Sequence, residues 1–202
     1  MRIGLDIDNV ILDTDSLILE EMLKEDKNKR NKGIIDKNAP YIFLGMFDWT
    51  KEEIEEFLIN NMERIASNVK IIKESKKYID KLLEEGHEIY LISNRAYPYY
   101  KNPLNTTKNN LEKNEIKYTK LILTETNDKS RECIDLKIDI MFDDRASNCL
   151  KLKEKGINCY LVKTIYETRT FDNLEMVNNF KEIYLKIKEV EKWKNINQKK
   201  NF

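Results

Sequence analysis

With 202 residues, 41% of them hydrophobic, the chain is long enough for one domain with a sizeable insertion or for two small domains. Its 36 basic and 36 acidic residues cancel, so no global field draws it onto nucleic acid or an anionic membrane, and no apolar stretch approaches the ~20 residues of a membrane helix. The three cysteines, Cys133, Cys149 and Cys159, are odd in number and lack CxxC spacing, which argues against a disulfide framework or zinc site and for a reducing, cytoplasmic setting.

The first ten residues, MRIGLDIDNV, read as a short buried strand with its chemistry at the carboxyl end. Asp6 and Asp8 interrupt the apolar run, so no signal peptide is expected. Two acids this close repel each other unless a cation or a shared proton intervenes, and a hard divalent ion such as Mg²⁺ meets that need. By themselves the two acids fit a strand followed by an Asx turn equally well. Residues 14–32 predict a helix through Leu17, Ile18, Met22 and Leu23, with Asp15 or Ser16 as its cap and Gly33 as its stop. Residues 34–49 read as extended or irregular and carry the aromatics Tyr41, Phe43, Phe47 and Trp49. Thr50 and Glu53 spell a capping box ahead of a helix with Ile54, Phe57, Leu58, Met62 and Ile65 on one face. A further helix is expected from about Lys73, ended by Gly86.

From Glu88 the rhythm is regular. Strands over 88–93, 120–124, 139–142 and 158–162 alternate with helices over 104–114, 130–136 and 146–155. An amphipathic helix over about 174–193 follows, and the final NINQKKNF reads as frayed. This pattern implies an α/β fold: a three-layer, Rossmann-like parallel sheet, with ligands outside the carboxyl ends of the strands. Residues 14–72 break the alternation and read as a helical cap inserted after the first strand, which leaves 1–13 and 73–202 as the core.

The polar residues at the strand ends are Asp6, Asp8, Ser93, Asn94, Asp143 and Asp144, and Lys129 opens the helix before the fourth strand. Each has a plainer reading: Asp143-Asp144 as a helix cap, Ser93-Asn94 as a turn, Lys129 as one lysine among many. Arg95 and Arg145, which follow two of these groups, either touch phosphate or pair with local acids. Taken together, two acid clusters hold one hard cation, while a hydroxyl and an ammonium hold the oxygens of an anion. A phosphoryl group with Mg²⁺ uses all of them.

In order and spacing these segments resemble the haloacid dehalogenase superfamily of aspartate-nucleophile phosphatases. DIDNV (6–10) resembles its first motif, LISNR (91–95) its second, Lys129 its third and IMFDD (140–144) its fourth. Asn9 departs from the glycine common at its position, but Asn tolerates left-handed backbone angles better than most residues. The resemblance implies Asp6 as nucleophile, Asp8 as general acid and base, and Ser93, Asn94 and Lys129 as phosphate-binding groups. It further implies Mg²⁺ held by Asp6, the Asp8 carbonyl and one of the final pair, with Asp144 favoured over Asp143. Within the superfamily the chain resembles the cytosolic deoxyribonucleotidases and their bacterial relatives. That implies a nucleoside 5′-monophosphate substrate and gives Phe47 and Trp49 a place in its pocket. A second copy of the chain is a candidate partner. Alternatives are a nucleic-acid end-processing 3′-phosphatase, which the neutral charge disfavours, and a phosphoryl-accepting domain without hydrolysis, which the order of the motifs disfavours.

Overall fold

The strands of this protein are apolar on both faces, as a sheet covered by helices on both sides demands. In the computed structural model, which describes residues 1–164 and 171–200, they are β1 (Arg2–Leu5), β2 (Glu88–Asn94), β3 (Lys120–Thr124), β4 (Ile140–Asp143), β5 (Cys159–Val162) and β6 (Met176–Val177). They form one parallel sheet in the order β3-β2-β1-β4-β5-β6. The helices are α1 (Thr14–Lys29), α2 (Lys51–Asn68), α3 (Ser75–Glu84), α4 (Pro103–Lys113), α5 (Ser130–Asp135), α6 (Ala146–Glu154) and α7 (Phe180–Lys200). β1 is central. Leu5 pairs with Leu91 on one side and Phe142 on the other, which brings the carboxyl ends of β1, β2 and β4 together.

Period-two alternation divides the core. Ile3, Leu5, Ile89, Leu91, Ile140 and Phe142 pack with residues of α3, α4 and α7, including Ile79, Leu82, Leu111, Phe180, Ile183 and Ile187. Tyr90, Ile92, Met141, Cys159 and Leu161 pack on the other side with Cys133 of α5 and with Ala146, Cys149 and Leu152 of α6. The three cysteines are thus buried and free. Gly4 lies where β1 meets β4: a Cβ there would stand 2.5 Å from the Met141 sulfur.

Residues 14–72 leave and rejoin this core at one place. The Asp13 N–H donates to the Lys70 carbonyl, and the Ile72 N–H to that of Ile11. Between these points α1, α2 and the irregular loop joining them bury a cluster of their own, with Ile18, Met22, Ile42, Met46, Phe47, Trp49, Phe57 and Ile65 at its centre. Thr50 forms the capping box with Glu53.

Several boundaries differ from expectation. α1 is N-capped at Asp13, not at Asp15 or Ser16, and no side chain closes that cap. It stops at Lys29, short of Gly33, because Asn31 turns left-handed (φ 54°) and the Asp26 carboxylate takes the N–H groups of Lys32 and Gly33. β6, two residues long, is too short for any periodicity to betray. Residues 195–200, expected to fray, continue α7; the last two, 201 and 202, lie outside the described residues. No helix among the described residues is long and apolar enough to cross a membrane.

Candidate active site

β1 ends in Asp6, whose N–H extends the ladder by donating to the Phe142 carbonyl at 2.9 Å. Beyond it the chain folds tightly. The N–H groups of Ile11 and Leu12 both reach the Ile7 carbonyl, and Asn9 sits left-handed at φ 59°. This loop turns Asp8 and Asn9 back toward the strand ends. Asp6, Asp8, Asn9, Ser93, Asn94, Lys129 and Asp144 all line one cavity of about 320 Å³. Its far wall is the inserted helical segment, through Ile18, Tyr41, Ile42, Phe43, Leu58 and Met62, with Tyr99 and Tyr100 from the loop after β2.

Lys129 is the electrostatic centre. The residue is 2% exposed, and its ammonium lies 2.9 Å from Asp6 Oδ1 and donates to Asp143 Oδ2 at 2.7 Å. Burial would discharge it, but the Asp6 and Asp143 carboxylates outweigh burial and hold its proton more tightly than in water. Asp143, fully buried, is saturated: it also accepts from the Asn148 side chain and the Arg145 N–H. Asp144 accepts from Asn9 Nδ2 at 2.9 Å. Burial, then the negative charge of Asp6 and Asp143, pushes its carboxyl well above the ordinary range.

Oxygens of Asp6, Asp143 and Asp144 lie within 4.8 Å of one another, and this is the one such acidic group of three among the described residues. Three carboxylates stand there against the Lys129 ammonium and the nearby charge of the Arg145 guanidinium. A hard divalent cation is the group that fits this excess, with Asp6 and Asp144 holding the oxygens to spare.

Asp8 has different company. Arg95, 2% exposed, donates from Nε to Asp8 Oδ2 at 3.1 Å and from Nη2 to Oδ1 at 2.6 Å, and Thr14 donates to Oδ1 at 2.6 Å. Burial raises the Asp8 carboxyl, but the Arg95 guanidinium and these hydrogen bonds overcome it and hold the group below the usual carboxylate range. Arg95 thus pairs with an acid. Arg145 lies at the cavity wall with its guanidinium 5.8 Å from the centre of the Tyr41 ring. Asp15, expected to cap a helix, lines the cavity as well, and burial pushes its carboxyl up to about 6.

Ser93 is buried at the end of β2 and faces the cavity, and Asn94 is braced by donating to the Thr124 carbonyl at 2.8 Å. Phe47 and Trp49 do not reach it. They are 4% and 8% exposed and pack inside the helical segment, 5.7 Å apart, with the Trp49 indole donating to Asp26. Tyr41 and Phe43, of the same aromatic run, face the cavity instead. Tyr99 and Tyr100 stand in the stretch YPYY, one residue past the second motif, and their aromatic crowding was the signal for them.

A haloacid dehalogenase-like hydrolase from Streptococcus pneumoniae is similar in fold, with a TM-score of 0.61 at 12% identity, over 90% of this chain and 96% of that one. A second, from Bacteroides fragilis, gives 0.61 at 13% identity, over 90% and 98%. A superfamily hydrolase from Ehrlichia chaffeensis gives 0.56 at 15%, over 94% and 96%. No individually curated protein matches the chain. Residues 1–192 match a family described as 5′ nucleotidase, deoxy (pyrimidine), cytosolic type C protein. With the four motifs gathered at one end of a parallel sheet of the haloacid dehalogenase type, the chain belongs to that nucleotidase family.

Proposed function

We propose that the protein is a Mg²⁺-dependent phosphomonoesterase that works through an aspartyl-phosphate on Asp6, with a nucleoside 5′-monophosphate as substrate. The observation that carries this is the pairing of two unlike carboxylates at one strand end. Asp6 is held by an ammonium and faces Asp144; Asp8 is held by a guanidinium and a hydroxyl; both open onto the same cavity. Unlike environments let two neighbouring acids take different parts in one reaction.

Asp6 attacks phosphorus and carries the phosphoryl group. Asp8 gives a proton to the leaving oxygen, then takes one from the water that hydrolyses the acyl phosphate. Ser93 and Asn94 orient the phosphoryl oxygens, and Lys129 neutralises negative charge beside Asp6. Asp6, the Asp8 carbonyl and Asp144 would hold Mg²⁺, while Asp143 serves Lys129. The ion supplies charge neutralisation and orientation of the phosphoryl group. We assign residues 14–72 the role of a cap that excludes water from the acyl phosphate.

A cavity near the lower end of the usual ligand range of roughly 300–1,000 Å³, roofed by the helical segment, suits a small ester better than the end of a nucleic acid. Its aromatic wall of Tyr41, Phe43, Tyr99 and Tyr100 suits a planar base. The test is phosphate release with Mg²⁺ and with EDTA, over nucleoside monophosphates, sugar phosphates, an aryl phosphate and a 3′-phosphorylated oligonucleotide. Mg²⁺-dependent release that is fastest on mononucleotides, and reduced by about 10³-fold or more in Asp6→Asn, is the expected result. No release from any of them would overturn the reading.

A further inference from the structure

Arg95 is among the largest fully buried side chains of the protein. It does not line the cavity, so it touches no substrate there; Asp8 does line it. Three of its N–H groups are committed. Nε and Nη2 bracket the Asp8 carboxylate, and Nη1 donates to Thr107 Oγ1 at 3.0 Å. Thr107 is fully buried on α4 and is itself fixed by donating to the Pro103 carbonyl at 2.7 Å. The guanidinium also lies 5.7 Å from the centre of the Tyr100 ring. A rigid path of contacts therefore runs from α4 through Thr107 and Arg95 to Asp8. A planar guanidinium bound at two points fixes the plane of a carboxylate as well as its position.

The oxygens of Asp8 are left unequal. Among the described residues, Oδ1 accepts from both Arg95 and Thr14, which uses its two lone pairs, whereas Oδ2 accepts only from Arg95 Nε and keeps one. We infer that Arg95 is the positioning residue for proton transfer, holding Asp8 so that Oδ2 faces the leaving oxygen. The inference rests on the phosphomonoesterase reading. In the first half-reaction Asp8 Oδ2 takes up the proton that the phosphate monoester monoanion brings in; an Asp6 oxygen then bonds to phosphorus, the bond to the leaving oxygen breaks, and that oxygen takes the proton from Asp8 Oδ2. In the second, water bonds to phosphorus, its proton returns to Oδ2, and the bond to Asp6 breaks.

The prediction concerns leaving groups. An alkyl phosphate must have its departing oxygen protonated, whereas p-nitrophenolate departs without a proton. First-turnover rates of Arg95→Met and Thr107→Val are measured on both esters, with the melting curve of each variant as a control of folding. Loss of orientation at a proton-transferring group is worth roughly 10²-fold. Arg95→Met should therefore slow the first turnover of the alkyl ester by about 100-fold, slow that of the nitrophenyl ester by no more than a few-fold, and leave KM unchanged. Thr107→Val should show the same ordering at smaller size. If Arg95→Met does not fold, Thr107→Val decides by the same ratio. Equal losses on the two esters, no loss on either, or an effect confined to KM would overturn the inference and leave the phosphatase standing. A wild-type protein inactive on both esters would overturn both.

Discussion

Asp143 and Asp144 are neighbours in sequence with opposite surroundings. One is saturated by Lys129, Asn148 and a backbone N–H; the other keeps oxygen to spare beside Asp6. No pattern in IMFDD separates them, because the difference comes from Lys129 and Asn148 on other elements. The aromatic run is similar. Tyr41 and Trp49 look alike as candidates for a pocket, yet only Tyr41 lines one. Trp49→Ala should cost about 3–5 kcal/mol of stability in a denaturant titration. Tyr41→Ala should change stability little and raise KM for a nucleotide about fivefold, as the loss of one aromatic contact of roughly 1 kcal/mol implies. Asp26 is a buried acid outside the active site. Burial alone would raise its carboxyl, but the Trp49 indole and the N–H groups of Gly33 and Lys32 overcome that and hold it below the usual value. A group depressed on folding contributes stability above its unfolded value, about 4, and loses it as pH falls through its folded value. The stability advantage of wild type over Asp26→Asn should therefore be full above about pH 4 and shrink below it, measured as urea midpoints against pH.

At the scale of elements, β1 to β5 were legible because burial on both faces writes a nearly unbroken apolar run. A helix with a side-chain start signal was legible too, as Thr50 and Glu53 show. The end of α1 was not, because Asp26, one helical turn before its stop, captures the N–H groups that follow. The role of Gly4 was equally hidden, since only the pairing of β1 with β4 brings Met141 against it. Gly4→Val should destabilise the protein by about 1–3 kcal/mol through overpacking, read as a lower urea midpoint. The β1–β4 junction sets the spacing between Asp6 and Asp144, so phosphate release should fall with it.

For the whole molecule, a formal charge of zero conceals a concentrated excess of negative charge at the ends of β1 and β4. A cation bound there by the native state alone stabilises it by mass action. Mg²⁺ at 100 times its dissociation constant is worth about 2.7 kcal/mol, or roughly 5–10 °C in melting temperature for a chain of this size. EDTA should remove that gain, and Asp144→Asn should fail to show it; thermal unfolding followed by circular dichroism reads both.

Five of the six strands, their apolar character and the placing of Asp6, Asp8, Ser93, Lys129 and the Asp143-Asp144 pair at element ends were determined by the sequence itself. Local alternation and chain order are enough to specify a parallel sheet and the edge of it where ligands bind. Which of two adjacent acids is saturated, which aromatics face the cavity and which partner holds Asp8 were decided only by the tertiary structure. Arg95 and Asp8 are 87 residues apart in the chain, and Lys129 meets Asp6 only because β1 and β4 are neighbours in the sheet. Contacts of that range carry no local signature; they exist once the sheet has closed and the buried charges must find one another.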